Sequence, residues 1–374
     1  MKAIAFYLPQ FHPTPENDRW WGKGFTEWTN VAKAKPRFSG HYQPHIPADL
    51  GFYDLRLLET QIAQAEMARE HGIGGFCYYH YWFNGQLLLE RPLETVLAEQ
   101  KPNLPFCVCW ANETWSRRWD GQEHEILIGQ DLETYDPEAH FAYLASAFAD
   151  SRYIKVAGKP VFLIYRIDQF PDIATTISRW REAAAALGLP GIYLCAVRSH
   201  MHTLSDEQTT ALGFDALVGF EPHSRTMLRQ SALGYARNFV PRAINYLLRR
   251  LKLTDRISEL AVMNRFDYRA LARTAMAAER SSQRLFPCVI PSWDNSARRS
   301  SGATVIQNND PRLFEAWLRD AASRVVDYPQ EEQLVFINAW NEWAEGCHLE
   351  PDLRNGKSFL EAVRRVFGQV PEEN

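Results

Sequence analysis

Several common sequence features are absent from this chain of 374 residues. No apolar run approaches the roughly 18 residues of a transmembrane helix. The first residues, MKAIAFYLPQF, contain neither a long apolar core nor a small-residue cleavage site, so no signal peptide is predicted. The six cysteines form no CxxC pair and lie mostly in apolar runs, which predicts reduced core residues. We therefore expect a cytoplasmic protein.

Strong net charge and familiar ligand-binding motifs are also missing. With a net charge of −4 and a pI near 6.3, the chain has no overall attraction for nucleic acid or for an anionic membrane. The first strand-like run is followed by YLPQFHP and not by GxGxxG, which argues against a dinucleotide-binding fold. No HExxH or DxD motif occurs, so His12, His80 and His348 are not expected to bind a metal. We predict no cofactor and no nucleic-acid partner.

Alternating strand-like and helical stretches are what the sequence does contain. The β-branched or aromatic runs are residues 3–9, 74–82, 105–111, 160–166, 192–197, 216–222, 286–293 and 334–340. Between them, apolar residues return every three or four positions, as in LLETQIAQAEMAREHG. The pattern predicts an α/β fold, a closed (β/α)₈ TIM barrel with long βα loops, formed by residues 1–374 as one domain. An open doubly wound sheet is the alternative.

The stretch FINAWNEWAEGCHLEP, 336–351, carries two glutamates after the last predicted strand. Glu342 and Glu345 are three positions apart, and such residues lie about 5–6 Å apart on a helical turn. Glycoside cleavage needs two carboxyl groups on one sugar, and the tryptophans on either side, Trp340 and Trp343, offer apolar faces to it. The motif predicts a catalytic pair. An ordinary solvent-exposed helix face is the alternative.

Side chains that follow the predicted strands should meet at the active face of a barrel, which is the C-terminal end of its strands. All tryptophans except Trp180 and Trp317 lie at such ends or in loops, where flat aromatic faces match the apolar faces of a pyranose. The predicted substrate-binding residues are Tyr7, Gln10, His12, Trp20, Trp21, Glu27, Trp28, His80, Trp82, Trp110, Asn112, Glu113, Trp115, Tyr165, Arg166, Glu221, Trp293, Asp294, Asn295, Trp340, Asn341, Trp343 and His348.

Several members of this set have a second interpretation. Tyr7, Tyr79 and Tyr165 are expected to line the barrel core more often than to contact a ligand. Glu113 could be a third functional carboxylate or a loop anchor that pairs with Arg117 or Arg118. Glu350, in HLEPD, is expected to brace the loop more often than to contact substrate.

Residues 222–280 are predicted to form a helical insertion between strands six and seven. The part from 225 to 252 is rich in arginine and contains NYLLRRLKL but no acidic residue. It is interpreted either as a subdomain that covers the barrel rim or as a basic amphipathic helix. In the second case it would contact anionic lipid, a lipid-linked glycan or a partner enzyme, and the protein would be peripheral to the inner membrane.

Four blocks of the chain resemble the WbsX family of bacterial polysaccharide-biosynthesis proteins, which is similar to glycoside hydrolase family 99. They are YLPQFHPTPENDRWWGKGFTEWTNV, GFCYYHYWFNG, WANETWSRRWDG and NAWNEWAEGCHLEPD. The resemblance implies a (β/α)₈ barrel and a retaining, endo-acting mannosidase, with Glu342 and Glu345 as its catalytic residues. Glu342 would act as base toward the substrate 2-OH, giving a 1,2-anhydro sugar, and Glu345 as acid and then base.

The predicted function is therefore a retaining endo-glycosidase or transglycosylase that acts on an α-manno- or α-rhamno-configured oligo- or polysaccharide. Both sugars place the 2-OH trans to the leaving group, as the anhydro route requires. One alternative is a glycosyltransferase of lipopolysaccharide O-antigen biosynthesis, which is the usual description of WbsX proteins. A second is a glycan-binding protein of that pathway without activity.

Overall fold

The computed structural model describes residues 1–117, 122–223, 263–299 and 302–368, with the backbone alone at 122–124. Its main sheet is a parallel barrel in which each strand pairs with the next along the chain and the last pairs with the first. The strands are β1 Lys2–Tyr7, β2 Ile73–Phe83, β3 Phe106–Trp110, β4 Lys159–Ile164, β5 Tyr193–Arg198, β6 Ala216–Gly219, β7 Leu285–Phe286 with Cys288–Val289, and β8 Leu334–Ile337. The prediction of a (β/α)₈ barrel is confirmed.

Strand β7 is interrupted by Pro287, which has no N–H to give to the ladder. Its first half pairs with β6 through Leu285, and its second half pairs with β8 through Cys288. The Pro287 carbonyl still accepts a hydrogen bond of 2.8 Å from the Phe336 N–H. The two halves together close the barrel.

One helix follows each strand and packs on the outside of the barrel. The helices are α1 Leu58–Glu70, α2 Arg91–Glu99, α3 Pro137–Ala149, α4 Ile173–Ala186, α5 Asp206–Ala211, α6 Tyr268–Met276, α7 Pro311–Ser323 and α8 Ser358–Phe367. Asp136, Asp172 and Asp310 begin three of them by accepting a backbone N–H of the first turn. Among the described residues, no helix is long and apolar enough to span a membrane.

Aromatic side chains fill the centre of the barrel. Phe6 lies 5.6 Å from Tyr79, 5.4 Å from Phe220 and 5.5 Å from Phe336, measured between ring centroids. Because side chains alternate along a strand, the residues directly before and after these aromatic residues point outward to the helices. All six cysteines are described, buried and free of disulfides, as the sequence predicts.

Long loops extend the C-terminal face of the barrel. After β1 come the helices Pro15–Trp21 and Glu27–Lys33, and after β3 a hairpin of Trp115–Arg117 with Gln122–Ile128. A small sheet joins Asn264–Asp267, Thr304–Gln307 and Trp293–Asp294. Of the predicted insertion at 222–280, the structure describes this first strand and α6. The basic segment at 225–252 lies outside the described residues.

Candidate active site

The two predicted catalytic glutamates lie in a tight turn directly after β8. Asn341–Glu342 pairs antiparallel with Cys347–His348, and a 3₁₀ turn, Trp343–Glu345, connects them. Gly346 ends the turn in the left-handed conformation, with φ 56°. A Cβ on Gly346 would lie 2.9 Å from the Cβ of Asp294, so glycine lets the turn pack directly on the loop after β7.

Asn341 attaches this turn to the end of β1. Its Oδ1 accepts the Leu8 N–H at 2.7 Å, and its Nδ2 donates to the Leu8 carbonyl at 3.0 Å. Nδ2 also donates to the hydroxyl of Tyr53 at 3.2 Å. The amide is fully buried, so each of these hydrogen bonds replaces water that cannot reach it.

Glu350 supports the turn from behind. Its carboxylate accepts hydrogen bonds from Trp343 Nε1 at 2.6 Å, Tyr53 OH at 2.8 Å and Gln64 Nε2 at 2.7 Å. Burial raises the pKa of Glu350 to about 7, and the donors act in the opposite direction. Glu350 therefore braces the indole of Trp343 and does not face the cavity described below.

Arg298 connects three carboxylates at the centre of the site. Its Nε donates to Glu27 Oε1 at 2.8 Å, its Nη2 to Glu342 Oε2 at 3.0 Å, and its Nη1 lies 2.8 Å from Glu345 Oε1. The 3₁₀ turn Asn295–Ala297 after β7 positions Arg298. Glu342 and Glu345 are thus held on neighbouring nitrogens of one guanidinium group.

Burial controls the protonation of this cluster. It raises the pKa of Glu342 to about 8, against the opposing charge of Arg298 and with the charges of Glu345 and Glu27. Burial likewise raises the pKa of Glu27, again against Arg298. A carboxyl group whose pKa is raised toward neutrality exchanges its proton near physiological pH, and its ionised form is a stronger base than an ordinary carboxylate.

A cavity of about 460 Å³ opens above Glu342 and Glu345 at the C-terminal face of the barrel. Seven large aromatic side chains line it: Trp21, Tyr79, Tyr81, Trp115, Tyr165, Phe220 and Trp293. Its polar lining includes Gln10, Glu113, Asn295 and Arg299. An apolar surface with a few converging polar groups is typical of a ligand site, and stacked aromatic faces suit a sugar ring.

Two polar features of the cavity wall are distinctive. Gln10 is 3% exposed, and its Nε2 has no hydrogen-bond partner among the residues that the structure describes. Arg166 is fixed from both sides, because its Nη1 donates to Glu113 at 2.8 Å and its Nη2 to Asp168 at 2.7 Å. The amide of Gln10 is therefore available to a ligand hydroxyl, while Arg166 holds Glu113 in place.

Sequence comparison identifies the family of a chain with this site. Residues 3–363 match the family described as Glycosyltransferase WbsX. The chain belongs to the WbsX glycosyltransferase family. It is 41% identical over 370 residues to the "Uncharacterized protein WxcX" of Xanthomonas campestris pv. campestris strain B100, covering 99% of this chain and 50% of that protein. It thus spans about half the length of the curated relatives it matches.

Solved structures share the fold of this WbsX family member. A "Glycoside hydrolase-like protein" aligns with a TM-score of 0.57 at 16% identity, covering 99% of this chain and 94% of its own. The GH99 endo-alpha-mannosidase from Bacteroides thetaiotaomicron aligns with a TM-score of 0.54 at 13% identity, with 98% and 96% covered. These likenesses show the same barrel.

The structure brings part of the predicted set together around the cavity. Its members there are Gln10, Trp21, Glu113, Trp115, Tyr165, Arg166, Trp293, Asn295, Glu342 and Glu345. The structure has Glu113 both lining the cavity and paired, with Arg166 as its partner and not Arg117. Arg118, the other predicted partner, lies outside the described residues. Arg117 pairs with Glu125.

The other predicted substrate-binding residues do not line the cavity. They are Tyr7, His12, Trp20, Glu27, Trp28, His80, Trp82, Trp110, Asn112, Glu221, Asp294, Trp340, Asn341, Trp343 and His348. Strand alternation accounts for several of them. Tyr7 donates to Gln64 of α1, His80 bonds His140 of α3, and Trp82 stacks on the same His140 with a centroid distance of 4.7 Å. These side chains lie between the barrel and its helices.

Most of the remainder serve as supports beside the cavity. Asn112 joins the end of β3 to β4 through two hydrogen bonds of 2.8 Å with the Arg166 backbone. Trp28 packs against Trp343 at 5.5 Å, and Trp20 against Trp115 at 6.0 Å. His12 and Trp110 belong to the same supporting group and are buried, and Trp340 packs on Phe76. The carboxylate of Asp294 accepts a hydrogen bond from His41, and that of Glu221 accepts one from the His223 N–H.

Sequence reasoning missed several residues of the wall. Tyr79 and Tyr81 alternate with the predicted His80 and Trp82 along β2. The sequence indicated that alternate residues face opposite sides of the strand, but it did not indicate which set faces the cavity. Arg298 and Arg299 follow the predicted Asn295 within one helical turn, which is the signal that could have found them. Also missed are Leu8, Ala111, Thr114, Ser116, Leu127, His200, Met201, Phe220, Pro222 and Thr304.

One group among the described residues has the side chains for a metal ion: His45, His348 and Asp352, all buried. His45 Nδ1 lies 2.9 Å from His348 Nε2, which is a hydrogen-bond distance, and His348 Nδ1 lies 2.9 Å from the Glu350 carbonyl. The carboxylate of Asp352 already accepts three hydrogen bonds from the turn that follows it. These hydrogen bonds make the group a support for the turn that carries Glu342 and Glu345. The ring of His348 stacks on that of Trp343 with a centroid distance of 3.7 Å.

Proposed function

We propose that this WbsX family member is a retaining, endo-acting glycosidase or transglycosylase for α-manno- or α-rhamno-configured oligo- or polysaccharides. The observation that carries the proposal is that Glu342 and Glu345 share one guanidinium group at the floor of an aromatic cavity. Two carboxyl groups on one sugar are what glycoside cleavage requires. Trp115 and Trp293 supply flat faces for the ring.

The chemistry assigned to the pair has two steps. In the first, Glu342 takes the proton of the substrate 2-OH while that oxygen attacks C1, and Glu345 gives its proton to the departing glycosidic oxygen. The C1–O bond breaks, and a 1,2-anhydro sugar forms. In the second, Glu345 takes a proton from water as the water oxygen attacks C1, the C1–O2 bond breaks, and Glu342 returns its proton to O2. Two inversions at C1 retain the anomeric configuration.

The raised pKa of Glu342 supports its role as base toward a weakly acidic hydroxyl. The unpartnered amide of Gln10 supports a hydroxyl-rich ligand, since a buried donor gains most from a partner that replaces water. An endo-acting enzyme needs a site that continues beyond one ring. Residues that follow β1, β3, β5, β7 and β8 all line the cavity, so it extends across the mouth of the barrel, which supports this.

Glycosyl transfer is the second candidate, and the family description favours it. The same residues would serve it if a sugar hydroxyl replaced water in the second step. A transferase using a nucleotide sugar would need a diphosphate site in addition. Hydrolysis therefore differs from transfer in its acceptor, which is water in one case and a sugar hydroxyl in the other. A nucleotide-dependent transferase differs from both in its donor, which is a nucleotide sugar.

The proposal is tested by incubating the protein with α-manno- and α-rhamno-configured oligosaccharides and following the first product by proton NMR. We expect the α-anomer to appear first. We expect Glu345→Gln to abolish the reaction and Glu342→Gln to slow it on the order of 10²–10⁴-fold. Glu138→Gln is the matched control, because Glu138 is an exposed glutamate of α3. Initial release of the β-anomer would contradict retention. Turnover of a nucleotide sugar, with none of the oligosaccharides, would favour the second candidate.

A further inference from the structure

Arg298 lines the cavity beside the catalytic glutamates, and Glu27 pairs with it from behind the cavity wall. The side chain of Glu27 is 0% exposed, and that of Arg298 is 15% exposed. Glu27 accepts from Arg298 Nε through both oxygens, at 2.8 Å and 3.4 Å. Glu27 is absent from the cavity lining, so it can act on a ligand only through Arg298.

The backbone on both sides of this pair is fixed. Arg37 donates from Nη2 to the Ser296 carbonyl at 2.6 Å and to the Arg299 carbonyl at 2.7 Å, which holds the turn carrying Arg298. The Glu27 N–H donates to the Gln10 carbonyl at 3.1 Å, which attaches it to the end of β1. The guanidinium group therefore has a defined position before any ligand binds.

We propose that Arg298, held in place by Glu27, is a positioning residue that sets both the spacing and the charge of Glu342 and Glu345. The proposal rests on the proposed function, since it assigns the pair its task in the same reaction. Three carboxylates around one guanidinium would carry two excess negative charges if all were ionised, which burial disfavours. Without Arg298, the two glutamates would repel each other and separate.

If Arg298 and Glu27 set the charge of Glu342, removing each of them should shift the pKa of Glu342 in a defined direction. A purely structural role predicts no such directions. Arg298 lowers the pKa of Glu342 and Glu27 raises it, so their removal should shift it in opposite directions. The other titratable groups that face Glu342 are Glu345, Tyr79, Tyr81 and Cys347. The charge of Glu345 also raises the pKa of Glu342, and Glu345 is present in both variants. Burial raises the pKa of Tyr79, Tyr81 and Cys347, so these three stay neutral and cannot produce the shift.

The experiment compares Arg298→Gln and Glu27→Gln with the wild type by pH profile. If Glu342 must be ionised to act as base, kcat/KM rises with pH through its pKa. We expect the acidic limb of Arg298→Gln to move to higher pH and that of Glu27→Gln to lower pH. We also expect kcat of Arg298→Gln to fall on the order of 10²-fold, as for a misplacement of about 1 Å. Arg298→Lys should restore part of it.

A second readout needs no substrate. With ¹³C-labelled glutamate carboxyl groups, the resonance that Glu342→Gln removes should titrate at higher pH in Arg298→Gln and at lower pH in Glu27→Gln. Arg152→Gln is the control, since it breaks a buried ion pair with Asp150 at the N-terminal end of the barrel. Its profile and titration should not move.

The outcomes separate this proposal from the proposed function. Opposite shifts in the NMR titration without turnover of any glycan would support the pair and refute the glycosidase. Turnover with unmoved limbs and titrations, or with both variants shifted the same way, would overturn the pair and leave the glycosidase intact.

Discussion

Replacing Gly346 by alanine should destabilise the protein more than the same change at Gly356. Both glycines have left-handed backbones, with φ 56° and 52°, and this conformation costs a residue with a Cβ roughly 1–2 kcal/mol. At Gly346 the added Cβ would also lie 2.9, 3.0 and 3.1 Å from the Cβ, N and O of Asp294. Two of these are backbone atoms, and overpacking of this kind adds about 1–3 kcal/mol. We expect losses of about 2–5 and about 1–2 kcal/mol respectively.

Urea unfolding followed by far-UV circular dichroism measures both losses. The control is well matched because no heavy atom among the described residues lies within 4 Å of the Cβ built on Gly356. Equal losses would refute the claim that the turn bearing Glu345 packs against the loop after β7. Gly346→Ala should also reduce activity more than Gly356→Ala, since Arg298 is carried by the same loop.

Three further changes test other contacts. Asn341→Ala removes the hydrogen bonds to the end of β1 and to Tyr53, so we expect a loss of about 2–4 kcal/mol in urea unfolding; an unchanged midpoint would contradict this. Gln10→Ala should raise KM on the order of tenfold with kcat nearly constant, and an effect on kcat alone would show that its amide does not bind the ground state. Hydrogen bonds from the Arg152 guanidinium lower the pKa of Asp150, so the stability advantage over Asp150→Asn should be full at pH 7 and shrink below about pH 4; a difference constant with pH would contradict the ion pair.

The barrel could be predicted from the sequence because its signals are local. Each strand is a short run of β-branched and aromatic residues, and each of the eight predicted runs overlaps a strand of the barrel. The ends were less well defined, as for β8, which stops at Ile337 although the apolar run continues to Trp340. Beyond Ile337 the chain leaves the ladder to form the turn with Glu342.

The direction of side chains could not be predicted from composition alone. In YYHYW, 78–82, every residue is large and none marks the inner face, so either His80 and Trp82 or Tyr79 and Tyr81 could have faced the inside of the barrel. The contacts of each set with the rest of the fold determine which one does. His80 finds a hydrogen-bond partner in His140 of α3, whereas Tyr79 stacks on Phe6 inside the barrel.

The role of Arg298 could not be predicted for a different reason. Its contact with Glu27 joins positions 271 residues apart, and only closure of the barrel brings them together. The glutamates are three positions apart in one motif, so their proximity could be predicted from the local sequence. The guanidinium group that they share comes from a distant part of the chain, so it could not be predicted in this way.

The most direct test of the account compares Glu342→Gln and Glu345→Gln on substrates with poor and with activated leaving groups, such as an oligosaccharide and a glycosyl fluoride. If Glu345 protonates the leaving oxygen, Glu345→Gln should abolish cleavage of the oligosaccharide but spare the first step on the fluoride. Glu342→Gln should slow both by a similar factor, on the order of 10²–10⁴, because the 2-OH must lose its proton in either case. Equal loss on both substrates in Glu345→Gln would contradict the assignment, and full activity in both variants would contradict a catalytic role for the pair.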